Sequence, residues 1–174
     1  MGGFVATSNV YAGFLYGIPV AGTCAHSFIM SFESEDDISQ SRVLAPKAGG
    51  DPVDLLELCI KYRSELGWNQ TIMKELYAYV SFAVAYPNQF SALVDSYHTM
   101  ESGVKNFLIM CLALTELGYA PLSIRLDSGD LAALSIQSKA LFAEVGERFG
   151  RDFSNLKIVA SNDINEASIR ALNE

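Results

Sequence analysis

Arg125, Asp127, Ser128 and Asp130 lie in one short run, RLDSGD, directly after the apolar Ala120, Leu122 and Ile124 and directly before a helical pattern that begins at Leu131. A guanidinium and two carboxylates so grouped can hold an anion, carry a proton or stabilise a growing positive charge. An apolar strand that ends in polar groups just before a helix is the arrangement by which parallel α/β folds bring chemistry to the carboxyl ends of their strands. The chain repeats it. Gly22, Thr23, Cys24, Ala25, His26 and Ser27 follow an apolar stretch at 18–20, Asp95 follows one at 90–94, and Ser161, Asn162 and Asp163 follow one at 158–160. Four strand ends carrying convergent polar groups point to an active site.

Each group also has a plainer use. His26, one of two histidines, can serve as base, phosphate acceptor or metal ligand, or it can simply be satisfied by a backbone carbonyl at a helix start. Asp95 is either a buried acid that needs a partner or a cap for the segment that follows it, which also carries Ser96, Tyr97, His98 and Thr99. Asp130 reads as a helix cap. Capping does not account for Arg125 and Asp127, which alternate onto one side of an otherwise apolar strand; a core has no use for a charged pair that is costly to desolvate. Ser161, Asn162 and Asp163 can cap the last helix, with Glu166 completing a capping box from Asp163, and the same amide-rich helix start suits a phosphate. Cys24 sits in apolar sequence without a basic partner and is not a candidate nucleophile. No spacing of His, Cys and carboxylates resembles a closed metal site.

The elements that must position these groups follow from periodicity and punctuation. Thr7, Ser8 and Asn9 offer caps for a helix at 10–16 that Gly17 closes. A strand is expected over 18–22 despite Pro19, then a short helix over 25–32. The acids, serines, Pro46 and paired glycines of 33–51 read as a loop or local disorder. Helices are expected over 52–66, with Asp51 as cap and Pro52 in first position, and over 71–86. After that, strand and helix alternate: strand 90–95, helix 103–117, strand 122–127, helix 131–149, strand 157–161 and helix 166–173. Such alternation predicts βαβ crossovers and a parallel sheet. Neither a dinucleotide glycine fingerprint nor a GxxxxGK[ST] loop is present, so the expected fold class is α/β, a parallel barrel-like domain that is incomplete in this chain.

The 174 residues can form a single region with a sizeable core, half of them being hydrophobic and 18% charged. The net charge of -8, with no cluster of Lys and Arg, argues against nucleic acid as a partner. The sequence shows no membrane span and no signal peptide. Three scattered cysteines read as reduced thiols, so the expected location is the cytoplasm. Met1 runs at once into Gly2, Gly3 and Phe4, and the chain stops at Glu174 inside a helical pattern, which leads us to expect a piece of something longer.

The chain also resembles a known family. Residues 2–13 (GGFVATSNVYAG), 18–27 (IPVAGTCAHS), 93–96 (LVDS), 124–131 (IRLDSGDL) and 159–166 (VASNDINE) match, in order and approximate spacing, motifs of nicotinate phosphoribosyltransferases, type II phosphoribosyltransferases of NAD salvage. The resemblance implies ATP-coupled transfer of ribose 5-phosphate from phosphoribosyl pyrophosphate to nicotinate, giving nicotinate mononucleotide, with Mg²⁺ accompanying the phosphates, in the cytosol and in a homodimer. It implies that His26 is the histidine that ATP phosphorylates, that Arg125 faces the base, that Asp127 lies near the ribose and that Asp95 lies near bound substrate. It places Thr7, Ser8 and Asn9 where nicotinate is told from nicotinamide, adds Ser27 and Asp130 as further substrate-binding positions, and puts phosphoribosyl contacts at Ser161, Asn162 and Asp163. Family members are much longer. Their amino-terminal region, which completes a neighbouring subunit's base pocket, and their glycine-rich 5′-phosphate loop have no counterpart here, so the isolated chain is expected to be inactive. The alternatives are a nicotinamide phosphoribosyltransferase and an inactive short form that binds full-length subunits.

Overall fold

Three parallel strands organise the second half of the chain in a computed structural model that describes residues 5–22, 24–38, 42–162 and 164–173. Strands β3 (Ser91–Leu93), β4 (Ser123–Leu126) and β5 (Lys157–Ala160) lie in that order, with β4 central. Their register sets Leu93, Arg125 and Val159 side by side. Parallel neighbours need long crossovers, supplied here by α5 (Val104–Glu116) and α6 (Leu131–Phe149). The expected α/β class with a parallel sheet is what the structure contains.

The first half is helical. It comprises α1 (Val10–Tyr16), α2 (His26–Met30), the two-residue strands β1 (Val43–Leu44) and β2 (Val53–Asp54), α3 (Leu55–Glu65) and α4 (Met73–Ala85). Where a strand was expected over 18–22, there is only a single parallel bridge between Thr7 and Val20. The Thr7 amide donates to the Pro19 carbonyl at 2.9 Å and the Ala21 amide to the Thr7 carbonyl at 3.0 Å. Pro19 has no N–H to carry a ladder further. Among the described residues of 33–51 are a 3₁₀ turn at Glu35–Asp37 and β1, which pairs antiparallel with β2. That pairing also moves the start of the next helix. Instead of Asp51 and Pro52 opening it, Asp54 caps α3, accepting from the Glu57 amide at 3.0 Å and from Arg42 Nε at 2.6 Å.

Helix α4 starts at Met73, two residues later than expected, because Thr71 is engaged by Arg63 through its hydroxyl at 2.9 Å and its carbonyl at 2.8 Å. Helix α6 spans the expected residues, capped by Asp130 and closed by Gly150 in the left-handed region. Helix α7 (Glu166–Asn173) also has the expected span. Its start is bonded by Asn165, whose Oδ1 accepts from the Ala167 and Ser168 amides at 2.9 and 3.0 Å; Asp163, the expected cap, lies outside the described residues.

Helix α5 is buried on all sides, from Phe107 through Leu114, as a helix must be when apolar all round. Phe107 stacks on Phe90 at the start of β3 and meets Phe142 of α6, both at 5.9 Å between centroids. A π-helical turn at Thr99–Gly103, absent from the sequence-based expectation, precedes α5. Gly103 sits so close to β3 that a Cβ there would lie 1.8 Å from the Val94 carbonyl oxygen. Gly103→Ala should therefore cost about 3 kcal/mol, the upper range for forced overpacking. Urea unfolding checks this, and a midpoint unchanged from the parent would contradict the contact.

Candidate active site

The polar groups gather at the carboxyl ends of the three strands, as their sequence positions imply. Arg125 is the third residue of β4 and Asp127 follows its last, so the period of two puts both on one face. Arg125 Nη2 donates to Asp127 Oδ2 at 2.9 Å, and Arg125 Nε donates to the Ser161 hydroxyl at 3.0 Å. Ser161, just past β5, donates in turn to Asp127 Oδ1 at 2.5 Å. Asn162 donates from Nδ2 to the Asp127 carbonyl at 3.2 Å while its own backbone lies at φ 68°, a left-handed conformation that asparagine tolerates better than most residues.

Asp95, two residues beyond β3, supplies the third strand end. Its side chain is 1% exposed, and Oδ2 accepts from the Asp127 amide at 3.0 Å and the Ser128 hydroxyl at 2.5 Å. Asp95 thus reaches across to β4 and caps no helix. Its other oxygen, Oδ1, is buried without a hydrogen-bond partner. His26, at the first position of α2, stands over this pair: Nε2 is 3.4 Å from Asp127 Oδ2 and 3.9 Å from Asp95 Oδ1. Ser96 fixes the ring through its hydroxyl, 3.1 Å from Nδ1.

The hydroxyl of Ser161, then the guanidinium of Arg125 and the ring of His26, hold the Asp127 carboxyl below its ordinary range against the opposing effect of burial. It is therefore a carboxylate at neutral pH. Burial pushes the Cys24 thiol up, which keeps it protonated and unreactive. Among the described residues no group of three or more His, Cys, Asp and Glu side chains is arranged to hold a metal ion. A cation here would need oxygens from a bound ligand to complete its coordination, as Mg²⁺ commonly does.

Other expected site residues lie elsewhere. Thr7, Ser8 and Asn9 form a unit of their own: Asn9 Oδ1 caps α1 through the Ala12 amide at 2.9 Å, and the Thr7 hydroxyl accepts from the Asn9 amide at 3.2 Å. Among the described hydrogen bonds none joins them to His26, Asp95, Arg125 or Asp127. Ser27 is exposed in the first turn of α2, and Asp130 caps α6 through the Ala133 amide at 3.0 Å. Two partnerships were not foreseen. Ser96, which fixes His26, is signalled only by its place beside Asp95, and Ser128, which holds Asp95, only by its place in RLDSGD. A cavity of about 590 Å³ is lined by Cys24, Phe82, Tyr86, Ser91 and Leu122 among others, and His26, Asp95, Arg125 and Asp127 are not in its lining.

Parallel strands joined by helices, with a charge cluster at their carboxyl ends, define an α/β protein with a parallel sheet. The chain is 48% identical over 174 residues to nicotinate phosphoribosyltransferase of Dictyostelium discoideum, covering 99% of this chain and 29% of that protein. It is 45% identical to nicotinate phosphoribosyltransferase 1 of Arabidopsis thaliana, covering all of this chain and 33% of that one. The crystal structure of human nicotinic acid phosphoribosyltransferase superposes with a TM-score of 0.86 at 39% identity, covering 99% of this chain and 36% of the human one. No family model matches the chain. By sequence and by fold the chain is similar to nicotinate phosphoribosyltransferases, the resemblance its motifs carry, and it spans about a third of the length of the relatives it matches.

A depressed carboxyl favours the folded state above its ordinary range, near pH 3.8, and that contribution disappears as pH falls through the lowered value. Asp127→Asn should flatten this acid limb. Thermal midpoints measured from pH 2 to 6 (roughly the span over which paired carboxylates titrate) check it, and an acid limb as steep as the parent's would refute the assignment.

Proposed function

We propose that this chain forms one wall of the active site of a nicotinate phosphoribosyltransferase, and that the activity of the whole protein is ATP-coupled transfer of ribose 5-phosphate from phosphoribosyl pyrophosphate to nicotinate. The observation that carries this reading is the linkage of His26, Asp95, Arg125 and Asp127 in a single cluster at three strand ends. The names of the relatives favour nicotinate over nicotinamide as the base.

Each group has chemistry to match. With Nδ1 held by Ser96, Nε2 of His26, which faces the Asp127 carboxylate at 3.4 Å, is the nitrogen assigned to accept a phosphoryl group from ATP as ADP departs; water later takes that group. Arg125 suits a planar aromatic carboxylate, which a guanidinium can stack on or pair with. Transfer to the ring nitrogen passes through a cationic sugar, and the carboxylates of Asp127 and Asp95 stand where such charge would be stabilised. Ser161, Asn162 and Asp163 are assigned to the phosphoribosyl group. Thr7, Ser8 and Asn9 belong to base selection, and Ser27 and Asp130 to the rim. The unpartnered Asp95 Oδ1 and the ionised Asp127 are fit ligands for Mg²⁺, which would neutralise the departing pyrophosphate.

The assembly inferred is a homodimer, with the chain contributing part of an α/β barrel. Val10, Tyr11, Phe14, Leu15 and Tyr16 of α1 are 50% to 82% exposed, a face of the kind that protein contacts cover. The same face favours a second reading, in which the chain by itself binds full-length subunits without turnover. Among the described residues no helix is long and apolar enough to cross a membrane, and Cys24, Cys59 and Cys111 are free thiols, which supports a cytosolic setting.

In a full-length enzyme carrying this segment, His26→Ala should abolish ATP stimulation while base binding persists. Arg125→Lys should lower kcat/KM for nicotinate by roughly tenfold to a hundredfold, the value of one or two charged hydrogen bonds. Initial rates with and without ATP, on nicotinate and nicotinamide in parallel, check both. ATP stimulation that survives intact, or nicotinamide used as well as nicotinate, would overturn the assignment. The purified 174-residue chain should form no nicotinate mononucleotide.

A further inference from the structure

Behind the site lies a second polar cluster, sealed among apolar side chains. Glu75 on α4, Ser102 in the π-helical turn and Asn106 on α5 are 0 to 2% exposed. Glu75 Oε2 accepts from the Ser102 hydroxyl at 2.7 Å and from Asn106 Nδ2 at 2.9 Å. The Ser102 oxygen also accepts the Ile72 amide at 3.0 Å, and Asn106 Nδ2 donates to the Ile72 carbonyl at 3.0 Å. These bonds serve the start of α4, which has no side-chain cap of its own. One turn along the same helix, Tyr79 donates its hydroxyl to the Leu93 carbonyl at 2.8 Å, so α4 grips both the π-helical turn and the last residue of β3. Val94 and Asp95 come next, with the Val94 carbonyl pressed against Gly103 of that turn.

Glu75 Oε1 and Asn106 Oδ1 are buried without partners, and among the described ion pairs none includes Glu75. An ionised carboxyl so enclosed, with no cation beside it, is costly. We propose that Glu75 is a positioning residue for the candidate site: as a neutral acid bonded to Ser102 and Asn106, it locks the π-helical turn beneath the end of β3 and so fixes where Asp95 meets Asp127 and Ser128.

Burial raises the Glu75 carboxyl to about 7, outweighing the bonds from Ser102 and Asn106 and the nearby Tyr79 hydroxyl that lower it, and Asp95 adds to the rise. The titratable groups that face Glu75 are Tyr79 on its own helix and Asp95 at the end of β3; Tyr79 in turn faces Cys24. Because the folded value lies above the ordinary 4.5, the neutral acid favours the folded state fully below that pH. The contribution is lost as pH rises towards about 7, where the charge enters the layer under the site. The inference concerns how the site is built and stands whichever base or donor the site takes.

The Asp127 amide donates to Asp95, so its resonance in a ¹⁵N-labelled chain reports where Asp95 stands, without turnover. In the parent chain the amides of Ser102, Gly103 and Asp127 should share a titration phase with midpoint near 7, resolved from that of His26 by following the His26 ring protons. Glu75→Gln, which mimics the neutral acid, should lose this phase at all three positions and keep the low-pH position of the Asp127 amide. Glu75→Ala should displace that amide at every pH. A phase retained at Asp127 in Glu75→Gln overturns the proposal, and that variant decides the matter if Glu75→Ala does not fold. Lower thermal stability in Glu75→Ala with the Asp127 resonance unmoved would also overturn it, since Glu75 would then serve packing alone.

Discussion

Asp127 ties the strand ends together. Its carboxylate receives the Ser161 hydroxyl from the end of β5 and the Arg125 guanidinium from β4, and it faces His26 of α2. Its backbone works in two further directions, the amide bound by Asp95 beyond β3 and the carbonyl by Asn162 beyond β5. A charge placed at the edge of an apolar sheet is expensive unless donors meet it. Here donors on three segments do so, and each is thereby held at a fixed distance from the others. Without the carboxylate, Arg125 and Ser161 would lose their shared acceptor, and the side-chain links left between the strand ends would be the Arg125–Ser161 bond and those that Asp95 and Asn162 make.

Much of this was legible because it depends on local rules. The alternation of Arg125 and Asp127 on one face follows from the two-residue period of a strand, and their pairing is what the sequence led us to expect. Asn9 before Val10, Asp130 before Leu131 and the glycines at 17 and 150 mark helix ends through capping and left-handed backbone, preferences that need no tertiary context. The misses share a cause of the opposite kind. Asp51 and Pro52 make a plausible helix start in isolation, yet the pairing of 53–54 with 43–44 moves the start to Asp54. Asp95 stayed open between buried acid and cap because nothing nearby reveals that Asp127 and Ser128 would meet it from more than thirty residues away.

The π-helical turn is the clearest example of structure invisible to periodicity. Its apolar pattern continues smoothly into α5, so a reading of Val104, Phe107, Leu108 and Cys111 finds only the helix. The turn exists because Gly103 permits backbone-to-backbone approach to Val94 and because Ser102 and Asn106 have an acceptor in Glu75. An extra residue in a helical turn is usually retained where it aims something. Here it lies directly behind the strand end that carries Asp95.

Charge balance gives the cluster its direction. With both carboxyls ionised, Asp95 and Asp127 outweigh the single guanidinium of Arg125, and His26 adds positive charge only when protonated. A site with that balance attracts a developing cation and repels free phosphate. A pyrophosphate or a carboxylate could settle there only with compensating positive charge, from Mg²⁺ carried by the phosphates, from His26 as imidazolium, or from groups supplied by a longer chain or a second subunit. In the reaction proposed above, the cluster is therefore suited to the moment when positive charge appears on the sugar, and holding the anionic ends of the donor would fall to backbone amides, a metal ion and residues outside this cluster.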